Sequence, residues 1–188
     1  MKKKILIIAL LLCLLAAVGG TYAYYTTNTV THNVITSGKV DVELVEQQSV
    51  GGELVPYPDE PIQIIPGISV SKVVSVKSLE QPAWIRMSYT VSVLDADKKP
   101  KDIPAEELAA VVSVNTDTSS WQYKDGWYYY KAPLGAGGIS KPLFTTVSFS
   151  GPNMGNEYQN CTLNIDVKTE AIQQANNGAT YTEAYWPA

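Results

Sequence analysis

The chain has 188 residues, 45% hydrophobic and 17% charged, with a formal charge of −4; this balance specifies a folded core rather than a disordered chain. No basic excess exists to neutralise phosphates, so a nucleic-acid partner is excluded. Four Trp, twelve Tyr and two Phe supply material for sheets and contact surfaces.

Lys2 to Lys4 form a basic start, and Ile5 to Val18 is an unbroken apolar run ending at Gly19-Gly20. The run is shorter than the roughly 20 residues a spanning helix needs and is followed by small residues, so residues 1–23 read as a secretory signal peptide. Cleavage is expected after Ala23, leaving Tyr24 as the mature N-terminus; an uncleaved signal anchor is the alternative. Losing three Lys makes the mature chain more acidic, and Cys161 is then its one cysteine, so stability must come from the core rather than from an internal disulfide.

Residues 24–38 carry no charge, counting His32 as neutral, and are rich in Thr and Val without Pro, a composition of high strand propensity. Residues 39–188 form the main domain. Val40, Val42 and Leu44 alternate with Asp41 and Glu43 up to the Gly51-Gly52 turn, the period of a strand with one buried face. A Pro-rich acidic loop at 56–61 leads to Ile62, Ile64 and the turn pair Pro66-Gly67. In the strand that follows, Lys72 shares the inward face with Val70, Val74 and Val76.

From Ala83 to Val93, Ile85, Met87, Tyr89, Val91 and Val93 share one face, and Trp84, Arg86, Ser88, Thr90 and Ser92 the other, which predicts an antiparallel, half-solvated strand. The stretch 105–110 after Pro104 predicts one or two turns of helix. Asp125-Gly126 predicts a two-residue hairpin that pairs Trp121 with Tyr130 and Tyr123 with Tyr128, leaving Gln122, Lys124, Trp127 and Tyr129 on the other face. Leu143, Thr145, Val147 and Phe149 are expected inward on one strand, and Cys161, Leu163, Ile165 and Val167 on the last. Eight to ten strands with almost no helix predict an all-β fold: an antiparallel β-sandwich of jelly-roll type with one short helix.

Catalytic parts are missing. His32 is the single histidine, so neither a triad nor a multi-histidine metal site can be assembled. Ser69-Val70-Ser71-Lys72 matches S-x-x-K, but in a strand its Ser and Lys point to opposite faces. Asp95, Asp97 and Glu106 have calcium-loop spacing, yet Lys99 and Pro100 stand where a ligand and Gly belong. Gly135 to Gly138 lacks the Lys and helix of a phosphate cradle. The sequence therefore predicts no enzyme, no cofactor and no metal.

The segment Gly20-Thr21-Tyr22-Ala23-Tyr24-Tyr25-Thr26 with Gly38-Lys39-Val40-Asp41-Val42, then Pro66-Gly67 with Lys72, Pro82 to Arg86, Gly126 to Lys131 and Glu170 to Gln173, resembles the TasA, camelysin and BsaA type of Gram-positive biofilm-matrix proteins. The likeness is greatest to the BsaA branch, although Ser78 stands where an Asn is expected. The resemblance implies export through a SipW-type signal peptidase and a jelly-roll subunit that assembles into extracellular fibres or pili. The metalloprotease activity implied by the camelysin name finds no ligands in this chain.

Cleavage would free residues 24–38 as a candidate donor strand, placing Val30, His32 and Val34 along a neighbour's sheet edge; pairing within its own domain is the other reading. Lys72 either guards an edge, meets a carboxylate, or forms an amide crosslink to Asn or Asp. Trp84, Trp127 and Tyr129, with Tyr185-Trp186, are candidate exposed aromatics for glycan or subunit contacts, or pack on the second sheet. The leading expectation is a secreted, homopolymeric fibre subunit of the matrix or cell surface, joined by other matrix proteins or polysaccharide. The alternative is a surface-attached carbohydrate-binding or adhesive module. The chain ends Tyr185-Trp186-Pro187-Ala188 without a wall-sorting signal, so retention is expected to depend on assembly or partners.

Overall fold

The computed structural model describes the backbone of residues 33–37 and residues 40–186 in full. The expected signal peptide, with its expected cleavage site at Ala23 and Tyr24, and the candidate donor residues Val30 and His32 lie outside the described residues. The described chain is an all-β sandwich. One sheet has the order β1-β11-β6-β9-β8, built from Asn33–Ser37, Thr162–Gln173, Ala83–Leu94, Trp127–Tyr130 and Trp121–Lys124, with β4 (Ile62–Gln63) also beside β11. The other has the order β3-β2-β5-β10-β7, from Glu53–Pro56, Val42–Val50, Ser69–Ser78, Phe144–Phe149 and Val112–Val114. Successive strands repeatedly change sheet, and the first described strand lies beside the last, which wraps the chain in jelly-roll fashion. The helix α1 spans Ala105–Val111, and a 3-10 turn spans Asn156–Tyr158.

The local turn chemistry acts as the sequence predicts. Asp125 and Gly126 adopt φ of 50° and 84°, so β8 and β9 pair Trp121 with Tyr130, Gln122 with Tyr129, Tyr123 with Tyr128 and Lys124 with Trp127. Gly51 and Gly52, both at positive φ, turn β2 into β3; β3 is an additional short strand that the Pro-rich sequence conceals.

Ile85, Met87, Val74, Val76, Leu143, Val147 and Leu163 are fully buried between the sheets. Tyr89 of β6 meets Phe144 of β10 edge-on at 5.3 Å, an aromatic contact that crosses the core. Cys161 is free and buried beside this core.

Two expectations change. Thr145 was expected inward, but it is exposed and Phe144 is buried instead. The cause is a register shift: Phe144 opposes Val74 while Thr146 opposes Ser71, which puts one extra residue into β5 and breaks the two-residue period. Trp84, expected as an exposed contact, is only 2% exposed. It lies on the outer face of β6 opposite Ile172, itself buried, so this end of the outer face is covered rather than solvated.

Candidate functional site

Three places hold the residues singled out above. The first is the outer edge of β11. All twelve residues of this strand pair antiparallel with β6, from Thr162 with Leu94 to Gln173 with Ala83. Its other edge takes β4 at Thr162 and Leu163 and β1 at Lys168 to Ile172, where β1 runs parallel with Asn33 opposite Lys168 and Val34 opposite Thr169. Within this chain, then, Val34 occupies an edge strand of its own domain. Parallel pairing is slightly weaker per residue than antiparallel pairing, and β1 offers five residues of it. From Ser37 the chain passes to β2 of the opposite sheet by Val42, so β1 is attached to its sheet by backbone pairing along one side.

The second place is built on that same stretch of β11. Glu170 opposes Arg86 of β6 and lies at the register of Ile35. The Arg86 Nε and Nη2 groups donate to Glu170 Oε2 at 2.8 and 2.5 Å, while Nη1 donates to the Tyr129 hydroxyl at 3.2 Å. Lys168 Nζ reaches the other carboxylate oxygen at 2.8 Å. The guanidinium also lies 4.3 Å from the Trp127 ring centroid and 4.8 Å from that of Trp186. Arg is suited to this position because its planar fork can pair with a carboxylate and stack on aromatic faces at once. Trp127 and Tyr129, expected as exposed contacts, are half-buried because they pack around this cation.

The sequence places Arg86 on a solvated face, offers Trp186 only as a candidate exposed aromatic, and gives Glu170 and Tyr181 no role in a site. The partners are 84 residues apart in the chain for Arg86 and Glu170, so no local spacing signals them. The C-terminal segment then folds back: Tyr185 N donates to Asn177 Oδ1 at 2.8 Å, the Trp186 indole donates to the Tyr181 carbonyl at 3.2 Å, and the Trp186 ring meets Tyr129 at 5.5 Å.

The third place is Lys72, which is buried. Its Nζ lies 3.1 Å from Glu46 Oε1 and 3.9 Å from the centroid of the Tyr57 ring. Lys72 thus meets a carboxylate, and that carboxylate is a Glu from the adjacent strand β2. Burial, reinforced by the negative charge of Glu46, raises the Tyr57 phenol above its ordinary value. The pair neutralises the inward Lys; because β5 is a central strand with β2 and β10 on its two sides, Lys72 guards no sheet edge, which corrects the edge-guarding expectation.

Among the described residues no cluster of three or more His, Cys, Asp or Glu could hold a metal, and no helix is long and apolar enough to cross a membrane. No protein-family model, curated protein or solved structure matches the chain.

Proposed function

We propose that the protein is a secreted structural subunit of an extracellular biofilm-matrix fibre or pilus, without catalytic activity, and that copies join by strand donation. The uncharged segment 24–38, released when a SipW-type peptidase cuts between Ala23 and Tyr24, leaves its own β11 and pairs with β11 of the next copy. The observation that carries this reading is the position of β1: an edge strand held in parallel against one neighbour and joined to β2 by a short link containing Gly38. Exchange between copies recreates each of those backbone pairings, so its net cost is chiefly the opening of that link, as in domain swapping. A donated strand makes a head-to-tail contact, which propagates as an open filament when the rotation does not close. The likeness of the boundary segment and first strand to matrix-fibre proteins supports the same conclusion.

Electron microscopy tests the proposal. The chain beginning at Tyr24 is expected to form filaments, and the chain beginning at Lys39 to remain a folded monomer. Filaments from the shorter chain would refute donation by this segment.

A further inference from the structure

We infer that the depression between the β8–β9 turn and the C-terminal segment is a carbohydrate subsite that accepts a single pyranose ring of a neutral polysaccharide. It is lined by Lys124, Asp125, Tyr129, Tyr181, Thr182 and Trp186. Three rings bound it, with Tyr129 at 6.2 Å from Tyr181 and 5.5 Å from Trp186 by ring centroids. The Tyr129 and Trp186 planes stand 75° apart, so together they form a corner rather than a flat stack. A pyranose offers one flat C–H face for an aromatic wall and a rim of hydroxyls for polar groups. Lys124 and Asp125 supply that second requirement: both are exposed, and neither belongs to an ion pair among the described residues.

Charge selects against other ligands. Arg86 already occupies the cationic place over Trp186, at 4.8 Å, and so disfavours a quaternary ammonium or lysine ligand. Lys124 and Asp125 line the depression with opposite charges, so the hairpin favours neither an anion nor a cation, and the chain's charge of −4 opposes a nucleic acid. What remains is a neutral, hydroxyl-rich ligand. The sequence suggests a glycan face of Trp84, Trp127 and Tyr129 with Tyr185-Trp186; the depression keeps Tyr129 and Trp186 of these and adds Tyr181 and Thr182. None of the lining residues belongs to β1 or β11, so failure of the subsite would leave the fibre proposal intact.

The test is titration of the full mature chain with soluble hexasaccharides of glucose, N-acetylglucosamine, mannose and galactose, followed by tryptophan fluorescence and calorimetry. At least one is expected to bind saturably with Kd of about 10 µM to 1 mM. Tyr181→Ala is expected to weaken that binding at least about tenfold. Asp125→Asn should also weaken it while keeping the hairpin, because Asn tolerates the positive φ of this turn. Thr182→Val provides a third variant with little change of shape. The inference is overturned if no hexasaccharide saturates by about 10 mM, or if the folded variants bind like the parent chain.

Discussion

The buried Thr169 hydroxyl has no hydrogen-bond partner, although its neighbours Lys168 and Glu170 are fully engaged in the ion-pair cluster. A buried hydroxyl without a partner carries its desolvation cost uncompensated. Thr169→Val, which keeps the branched shape, is therefore expected to stabilise the fold by about 1 kcal/mol, measured by urea unfolding. Phenols define the response to alkali. Burial together with a 2.6 Å hydrogen bond to Glu107 raises Tyr158 well above its ordinary value, and burial with its neighbour Tyr89 pushes Tyr128 up to about 12. An unfolded Tyr ionises near pH ~10, so above that pH the folded state holds more protons than the unfolded one. The stability these groups contribute is complete below pH ~10 and is lost as pH rises through the folded value of about 12 for Tyr128. Urea midpoints should fall across this window, and Tyr158→Phe should make the decline shallower.

At the scale of elements, legibility in the sequence follows the range of the interactions. The β8–β9 hairpin is fully readable, because Asp125-Gly126 fixes both the turn and the register within ten residues. Gly126 at φ 84° has open space around its Cα, so Gly126→Val should destabilise through backbone conformation alone, by about 1–2 kcal/mol, read as a shift in thermal or urea midpoint. The strand β6 is readable from its period of two, as is the inward row of β11. The bulge in β5 is not, because it is defined by the partner strand rather than by local composition. The burial of Trp84 and Arg86 is hidden for a related reason: alternation identifies the second face of a strand but not what covers it, and over Arg86 the ring of Trp186 arrives from the far end of the chain. Lys72 is an intermediate case, with its inward direction readable and its partner Glu46 given only by the β2–β5 register.

For the whole molecule, these placements leave one strand less committed than the rest. The central strands β5, β6, β10 and β11 have neighbours on both sides, and their inward residues build the common core. β1 is joined by five paired residues at an edge, beside a buried ion-pair cluster that fixes the local geometry of β11 through Glu170. A rigid acceptor and a short edge strand are the two parts strand donation requires. The most direct measurement replaces the opposed residues Asn33 and Lys168 with cysteine, forms filaments from chains beginning at Tyr24, oxidises them, and separates the products under non-reducing denaturing conditions. The account predicts a ladder of covalent oligomers, because Asn33 of one copy then lies beside Lys168 of the next. Filaments that yield a single internally bonded monomer would contradict it.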